Sequence, residues 1–596
     1  MKLIPYNQVT LRGGYLYEKQ ELNTKVTIPA VYDRFYETGR ITAFKFGFPE
    51  KDPVRPHFFW DSDVAKWMEG AAYVLQREAN PDLEAKVDEI VDDIEKNQCE
   101  DGYFNIFFTV VQPENRWKCR DWHELYCAGH LMEAAVAYAE ATGKTKFLAC
   151  MEKYADYINR VFIEECSAGF KTPGHEEIEL ALVRMYRYTG KKKYLDMANY
   201  FLTVRGAVEE DYNDLYYQAD EPIRQQKTVR GHAVRSMYLC TGLAYLAAET
   251  KEEALIDQVK TLWEDTAYRK MYVTGGLGST YIGEAFTTAY DLPADQAYTE
   301  TCAGIGLCFF SQGMLALDNN ARYADAIERA LYNGVTSGLS VSGDQFFYEN
   351  PLEINLSERY ANRFGSRRFP AHRRVACFGC SCCPPNVNRL FASLGGYLYG
   401  VDGDTLFVNQ FASADMSADG IKASMETDYP RDGKVTVSAD GVAKLAIRIP
   451  SWCDSFTLDV PYVMENGYAV VENTGAPVTV VFDMPPCRVW ADRRVLRTAG
   501  QIAIMRGPVV YCAEGIDNGE GELHLYQIPR DFTAEVGGDE GYGLPTLTVP
   551  CAKRADTGDL YRHQPPAYEA ATLKLIPYNA FANREETDMR VWFFAE

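Results

Sequence analysis

The hydrophobic periodicity of this sequence changes near residue 400, and that change constrains the fold more than any other feature. Between residues 61 and 398, segments of about 14 to 20 residues carry apolar side chains at positions i, i+3, i+4 and i+7. Each segment ends near a glycine, a proline or a polar turn. With the segment that follows Pro385, the pattern predicts roughly eleven or twelve helices. The short loops between them predict antiparallel neighbours.

That number of helices suits a closed toroid of helical hairpins, the (α/α)6 barrel. A helical solenoid is the alternative, although the sequence contains no strict repeat of the length that solenoids have. After residue 400 the segments are short and alternate apolar with polar residues between Gly, Asp and Pro turns, which is typical of antiparallel β-sheet.

We therefore expect a mainly α plus β protein. An (α/α)6 barrel catalytic domain (residues 1–398) precedes two antiparallel β-sandwich domains, the first over residues 399–503 and the second over residues 504–596. The first few residues of the chain are available to pair with a β domain. The sequence leaves the oligomeric state open, with a homodimer as one arrangement.

The charge and composition of the chain exclude some kinds of partner. The formal net charge is −23, so we expect neither nucleic acid nor an anionic membrane surface to bind it. No apolar run is long enough to span a bilayer, and the apolar stretch after Lys2 is too short for a secretory signal. These features predict a cytoplasmic protein, whose cysteines are reduced and available for metal binding or catalysis.

Four cysteines lie within seven positions, in the stretch CFGCSCC. They are Cys377, Cys380, Cys382 and Cys383. Soft thiolate ligands favour zinc, which usually takes four ligands. The following proline pair fits the first turn of a helix, whose positive end lowers the pKa of nearby thiols. Residues before a proline favour extended backbone, so Cys382 and Cys383 reach one metal ion only if the turn bends them together.

A second segment supplies candidates for the remaining ligands. Glu300 and Cys302 stand two residues apart in YTETCA, a spacing that does not share one helix face. They converge if a helix begins at this point and Glu300 belongs to the preceding loop. The sequence thus predicts a zinc site of Glu300, Cys302, Cys382 and Cys383, with Cys377 and Cys380 as a competing pair.

The motifs GCSCCPPN, YTETCA, YIGEAF and HELYCAGHLMEAA together resemble glycoside hydrolase family 127, the β-L-arabinofuranosidases. The likeness extends over nearly the whole chain. It implies an (α/α)6 barrel followed by two β-sandwiches, and a retaining mechanism with a cysteine nucleophile. By this resemblance Cys382 is the nucleophile and Glu284 the general acid/base. The resemblance also implies Zn²⁺ on Glu300, Cys302, Cys382 and Cys383.

The resemblance further implies which residues bind the sugar. His123, His175, His232 and Tyr348 match positions that hold sugar hydroxyls, and His130 is an alternative match for His123. The expected substrate is a small oligosaccharide or glycoconjugate with a terminal L-arabinofuranose. Another furanoside or a modified pentose would suit the same mechanism.

Two other functions are alternatives. The first is a metal-independent sugar epimerase or unsaturated-glycuronide hydrolase on a helical toroid. The second is a carbohydrate-binding protein without catalysis.

Overall fold

The computed structural model describes residues 1–47, 56–209, 214–356, 369–555 and 558–596. Helices fill the part of the chain before residue 393, and strands fill most of the rest. The α-helices are α1 (Tyr15–Leu22), α2 (Ile28–Glu37), α3 (Trp60–Arg77), α4 (Pro81–Asn97), α5 (Ile106–Val110), α6 (Glu124–Thr142), α7 (Lys146–Asn159), α8 (Ile178–Thr189), α9 (Lys192–Val204), α10 (Ala233–Thr250), α11 (Glu253–Asp265), α12 (Thr301–Leu317), α13 (Ala321–Arg329), α14 (Cys383–Ala392) and α15 (Gly515–Asn518).

Six of these helices form a closed inner ring. In order they are α3, α6, α8, α10, α12 and α14; each packs against the next, and α14 packs against α3. The helices α4, α7, α9, α11 and α13 pack outside their hairpin partners, and the α1–α2 segment packs outside α14. Because every inner helix returns through an outer one, the six inner helices run parallel. The predicted (α/α)6 barrel is confirmed, since a solenoid would not close.

The amino-acid pattern explains which helices are inside. Inner helix α6 is buried along the whole of Glu124–Ala139, whereas outer helix α4 buries a single stripe. Gly129 of α6 lets the start of α8 approach closely. A Cβ atom there would lie 2.8 Å from both Glu177 Cγ and Ile178 N. None of the helices in the described ranges is long and apolar enough to cross a membrane.

The next part of the chain is a sandwich of two six-stranded sheets. The strands of the first part of the chain and of this sandwich are β1 (Lys2–Leu3), β2 (Val9–Gly13), β3 (Glu353–Ile354), β4 (Tyr399–Asp402), β5 (Thr405–Val408), β6 (Ser413–Ala418), β7 (Ile421–Thr427), β8 (Lys434–Asp440), β9 (Lys444–Arg448), β10 (Phe456–Leu458), β11 (Val463–Glu465), β12 (Tyr468–Glu472) and β13 (Val478–Phe482). The sheet orders are β1-β4-β5-β9-β12-β11 and β10-β13-β8-β7-β6-β2. The two N-terminal strands therefore complete one edge of each sheet, with Lys2 opposite Val401 and Val9 opposite Met416.

The last part of the chain forms a third sheet. Its strands are β14 (Cys487–Val489), β15 (Gln501–Arg506), β16 (Val509–Glu514), β17 (Tyr526–Ile528), β18 (Glu535–Asp539), β19 (Pro545–Arg554), β20 (Tyr568–Pro577), β21 (Met589–Arg590) and β22 (Phe593–Ala595). The order is β14-β15-β22-β17-β19-β20-β16-β21-β3, and β15 also pairs with β16. Strand β3 comes from the barrel part of the chain, which ties the first and last parts together. The expected β domains after the barrel are thus confirmed, although β5–β9 and β17–β22 pair in parallel.

Candidate active site

A cavity of ≈290 Å³ lies where the six inner helices begin. Each inner helix contributes a polar side chain from within about one turn of its start. The contributions are Asp63 from α3, His123 from α6, His175 from α8, His232 from α10, Glu300 and Cys302 from α12, and Cys382 from α14. Larger cavities exist elsewhere, but this one collects the predicted site residues. The positive ends of six helix dipoles meet here, so the site favours negative charge.

The sulfur atoms of three cysteines and one carboxylate form a compact group. Cys302 Sγ lies 3.6 Å from Cys382 Sγ and 3.3 Å from Cys383 Sγ, and the last two sulfurs are 3.8 Å apart. Glu300 Oε1 lies 3.5 Å from Cys382 Sγ and 3.7 Å from Cys383 Sγ. Among the described residues, these four donors form the group able to hold a metal ion that the sequence predicted. Cys377 lies outside it, with its sulfur 3.3 Å from Ser381 Oγ.

Two helix starts create this convergence. Glu300 precedes α12 with extended backbone (ψ 137°), and Cys302 is in the first turn, as the spacing required. Cys382 precedes α14 with helical backbone (φ −70°, ψ −33°), and Cys383 is the first residue of that helix. The expectation of an extended Cys382–Cys383 pair is wrong. The helix begins earlier than the proline rule suggests, and its turn brings both sulfurs to one side.

Glu300, Cys302 and Cys383 are buried and Cys382 is half-buried, and Glu300 has no ion-pair partner among the described residues. Burial, reinforced by the nearby Cys382 and Glu284, raises the pKa of Glu300 well above its ordinary value. Glu300 Oε2 is buried and has no hydrogen-bond partner among the described residues. Burial also raises the pKa of Cys383. At Cys302 the effect of burial is outweighed by hydrogen bonds from Cys382 and Cys383, which lower the pKa to about 6. Without an added positive charge Glu300 and Cys383 resist ionisation, so the donor set fits a bound metal cation.

Three histidines form one wall of the cavity. The ring centres of His123 and His175 are 5.7 Å apart, as are those of His175 and His232. Burial lowers the pKa of all three rings, and that of His123 falls to about 3. They are therefore neutral at physiological pH and act through hydrogen bonds.

Backbone contacts fix the tautomer of each ring. Nδ1 of His123 lies 2.6 Å from the carbonyl oxygen of Asp121, and Nδ1 of His175 lies 3.0 Å from that of Glu176. Both Nδ1 atoms donate, so both Nε2 atoms are acceptors. Nδ1 of His232 instead accepts a hydrogen bond from the backbone N–H of Val234. Its Nε2 therefore carries the proton.

The position of the Glu284 side chain is set by the left-handed backbone of its loop and by a hydrogen bond from His232. The Nε2–H of His232 donates to Glu284 Oε2 over 3.1 Å. Glu284 has left-handed backbone (φ 53°) and follows Gly283, which is also left-handed (φ 68°). His123 shares this uncommon conformation (φ 60°). Left-handed residues other than glycine cost free energy and concentrate at functional sites.

Tyr348 lies against the cysteine group. Its hydroxyl is 3.2 Å from Cys382 Sγ, and its ring stacks on Phe369 at 4.0 Å. In this structure the Cys382 thiol donates to the Tyr348 oxygen. Burial raises the pKa of Tyr348 well above its ordinary value, so the hydroxyl keeps its own proton and is available to donate to a deprotonated sulfur.

His130 lies deeper in the barrel and does not line the cavity. Its Nδ1 is 2.9 Å from Glu177 Oε1, and its ring packs 4.5 Å from that of Tyr126. Of the two candidate matches, His123 therefore lines the cavity.

The sequence reasoning missed part of the cavity wall. The residues it did not name include His57, Asp63, Asp121, Tyr126, Tyr216 and Arg235. Arg235 Nη2 pairs with Asp121 Oδ1 at 3.1 Å, and its guanidinium lies 4.6 Å from the Tyr216 ring centre. The sequence spacing to the predicted histidines contained a signal for two of these residues, Asp121 and Arg235. Asp121 is two residues before His123, and Arg235 is three residues after His232, near the start of α10.

Comparison with known protein families covers almost the whole chain. Residues 8–396 match the family described as β-L-arabinofuranosidase, GH127 catalytic domain. Residues 405–484 match the β-L-arabinofuranosidase GH127 middle domain, and residues 486–594 match the glycoside hydrolase family 127 C-terminal domain.

Individual relatives agree with these matches. The chain is 39% identical over 589 residues to a non-reducing end β-L-arabinofuranosidase of Bifidobacterium longum subsp. longum, covering 90% of this chain and 89% of the relative. It is 38% identical to the crystal structure of a GH127 β-L-arabinofuranosidase from Geobacillus stearothermophilus T6, with a TM-score of 0.93 over 99% of this chain and all of the other. A GH127 β-arabinofuranosidase structure, 32% identical, superposes with a TM-score of 0.90 over 100% of this chain and 98% of the other.

Proposed function

This chain belongs to glycoside hydrolase family 127, and from that premise we propose that it is a retaining exo-β-L-arabinofuranosidase. It would release L-arabinofuranose from the non-reducing ends of small oligosaccharides or glycoconjugates. The proposal rests on one observation. The Cys382 sulfur belongs to a group of four donor atoms where α12 and α14 begin, and it lines the same cavity as Glu284. The cavity volume of ≈290 Å³ is at the small end for ligand sites, which favours a single terminal sugar ring.

We propose that Glu300, Cys302, Cys382 and Cys383 hold Zn²⁺. A tetrahedral zinc with ligands at its usual bond lengths requires S···S separations of about 3.8 Å and S···O separations of about 3.6 Å. The four donors are already close to this arrangement, with S···S distances of 3.3 to 3.8 Å and S···O distances of 3.5 and 3.7 Å. When bound, zinc keeps the Cys382 sulfur deprotonated and therefore nucleophilic at neutral pH.

In the first step Cys382 Sγ attacks the anomeric carbon. A carbon–sulfur bond forms while the glycosidic carbon–oxygen bond breaks, and Glu284 gives its proton to the departing oxygen. The Tyr348 hydroxyl, 3.2 Å from the sulfur, orients a lone pair of Cys382 for this attack.

In the second step Glu284 takes a proton from water. The water oxygen bonds to the anomeric carbon, the carbon–sulfur bond breaks, and its electron pair returns to Cys382. Two displacements at one carbon retain its configuration. The hydrogen bond from His232 keeps one oxygen of Glu284 fixed, so the other is directed at the reacting groups.

The histidine wall would hold the sugar. The Nε2 atoms of His123 and His175 are acceptors, and sugar hydroxyls can donate to both. Because the rings stay neutral, this recognition requires no charge on the substrate. We also propose a cytoplasmic location, where thiols stay reduced and can hold a metal ion.

The test is hydrolysis of p-nitrophenyl β-L-arabinofuranoside under reducing conditions, with the metal content of the same sample measured. Turnover with about one zinc per chain, and a β-configured first product by NMR, is the expected result. Zinc without turnover would instead indicate another furanoside or a modified pentose. Turnover by a zinc-free protein would contradict the zinc-thiolate mechanism, and no turnover by a zinc-free protein would favour the metal-independent alternatives.

A further inference from the structure

The loop that carries the clustered cysteines is held by a buried arginine from a distant part of the chain. Arg40 follows α2, and its Nη2 donates to the carbonyl oxygens of Phe378 and Gly379 at 3.1 and 3.0 Å. These carbonyl groups are four and three residues before Cys382. Arg40 therefore fixes the backbone that leads into the donor group.

The Arg40 guanidinium is itself held in one orientation. Its Nε donates to Asp63 Oδ2 at 3.0 Å, and its Nη1 donates to Thr38 Oγ1 at 2.8 Å. The guanidinium also lies 5.0 Å from the centre of the Trp60 ring. The Arg40 and Asp63 side chains are 3% and 1% exposed, so water does not compete for these contacts. Because the guanidinium is planar and all its nitrogen atoms are bonded, the cysteine loop is fixed relative to α3.

Asp63 connects this pair to the catalytic cavity. It is in the first turn of α3 and lines the cavity, as Cys382 does. Burial raises the pKa of Asp63, whereas the charges of Arg40 and Lys66 and the backbone N–H of Ser381 lower it. The carboxylate therefore faces the residue before Cys382 as well as Arg40.

The same loop supports Tyr348. The ring centre of Phe378 lies 5.4 Å from that of Tyr348, with the two rings edge to face. The Tyr348 oxygen is 3.2 Å from Cys382 Sγ. A shift of the backbone at Phe378 would therefore displace the Tyr348 hydroxyl as well as the sulfur that it contacts.

We propose that Arg40 and Asp63 are positioning residues for Cys382. The pair holds residues 378–381 so that the Cys382 and Cys383 sulfurs converge with the donors at the start of α12. Groups that orient metal ligands from behind change metal affinity by about 10–100-fold when they are removed. This inference rests on the proposed function, because it concerns how the same four donors are held.

Titration of the metal-free, full-length protein with Zn²⁺, in competition with a chromophoric chelator, tests this role. For Arg40→Met we expect the Kd for zinc to rise by about 10–100-fold. Arg40→Lys keeps a charge beside Asp63 but lacks the planar fork that reaches two carbonyl groups, so it should recover only part of the affinity.

A double variant keeps the test possible if Arg40→Met does not fold. The single change leaves Asp63 buried without its cation, whereas Arg40→Met combined with Asp63→Asn leaves no unpaired charge. The double variant still lacks the bonds to the cysteine loop, so its zinc Kd should be raised by a similar factor.

Arg448→Met is the matched control. Arg448 is also fully buried, donates to the carbonyl oxygen of Asn409 at 2.6 Å and pairs with Glu328. It is on β9 in the sandwich, away from the cysteine loop. Its replacement should lower stability but leave the zinc Kd and kcat within about twofold of wild type.

Hydrolysis of the nitrophenyl substrate gives a second readout. Arg40→Met should lower kcat by about 10²-fold because the attacking sulfur is displaced. KM should change by no more than about twofold, because the histidine wall comes from other helices. A wild type without zinc or without turnover would mark a failure of the proposed function, and the difference between variants in the remaining property would still test Arg40.

Unchanged zinc Kd and unchanged kcat in a folded Arg40→Met or double variant would overturn the inference, because the pair would then only stabilise the fold. Equal losses in Arg448→Met would also overturn it, since the effect would follow from stability alone. A wild type with neither zinc nor turnover would overturn the inference together with the proposed function.

Discussion

The two ends of the inner helix ring each bury a cluster of charged or ionisable side chains, but the clusters differ in composition. The end where the helices begin collects Glu300, the three clustered cysteines and Glu284. The end where they finish encloses a cavity of ≈490 Å³ lined by Glu69, Glu133, Arg184 and Arg389. Arg389 is in the last turn of α14, where the negative end of the helix dipole favours a cation.

The two clusters differ in whether their charges are balanced. Arg389 Nη1 lies 3.0 Å from Glu69 Oε2 and 3.2 Å from Glu133 Oε2, and Arg184 Nη1 lies 2.9 Å from Glu69 Oε1. Arg184 Nη2 also lies 3.5 Å from Glu140 Oε2. Every acid of this cluster therefore has an arginine within ion-pair distance, so this end needs no ligand. Among the described residues, Glu300 in the sulfur and carboxylate group has no such partner. A buried donor set without its own counter-charge indicates a ligand, and a balanced one indicates structure.

Replacing the proposed nucleophile, Cys382, should have the largest effect and test the sulfur and carboxylate cluster separately from the arginine cluster. For Cys382→Ala we expect kcat for the nitrophenyl substrate to fall by at least about 10⁴-fold, because the covalent step is lost. The circular dichroism spectrum should stay unchanged. Cys308→Ala, a buried thiol two turns along α12 from Cys302, is the control and should keep near wild-type kcat. Near wild-type turnover by Cys382→Ala would contradict the mechanism.

Removing the proposed acid/base, Glu284, should have a smaller effect that depends on the leaving group. Glu284→Gln should lower kcat by about 10² to 10⁴-fold on an alkyl arabinofuranoside. The loss should be less on the nitrophenyl substrate, whose oxygen departs without a proton. Glu140→Gln, at the other end of the ring, serves as the comparison and should leave both rates unchanged. Equal losses on the two substrates would count against Glu284 as the acid.

Breaking the balanced cluster should affect stability instead of chemistry. Arg389→Met leaves Glu69 and Glu133 buried without their shared cation, so the free energy of unfolding should fall by about 3–5 kcal/mol in urea denaturation. Arg389→Met combined with Glu69→Gln should recover part of the loss. The metal content of the folded protein should be the same in wild type, in Arg389→Met and in the double variant. A loss of metal with unchanged stability would mean that the two ends are not separate.

The smallest effect is a pH dependence at the balanced end. Burial, together with the charge of Glu69, raises the pKa of Glu133 from its ordinary value of 4.5 to about 7. The folded state therefore binds this proton more tightly than the unfolded state, and the stabilisation is lost as pH rises through about 7. Between pH 5 and 8 wild type should lose about 2–3 kcal/mol relative to Glu133→Gln. Parallel stability curves for the two proteins would refute this shift.

The sequence predicted the barrel because helical periodicity is local and each hairpin buries its own stripe. It predicted the group of donor atoms able to hold a metal ion because four cysteines in seven positions, with YTETCA, are a strong local signal. Sequence reasoning failed where the backbone conformation or the neighbours of a residue depend on packing between segments distant in the chain. The helical backbone at Cys382 depends on α14 closing the ring beside α12, which no local rule contains. Asp121 and Arg235 lie on different helix starts, and only the closed ring places them together.

The N-terminal strands have a consequence for how the protein is made. Strand β1 leaves the ribosome first, yet its partner β4 follows about 400 residues later, and β2 waits similarly for β6. At usual rates of synthesis that delay is on the order of 20–80 s. The sandwich cannot be completed until most of the barrel has emerged. Two unpaired strand edges must therefore avoid aggregation in the growing chain. Their short length reduces that risk, and so do chaperones that bind nascent chains.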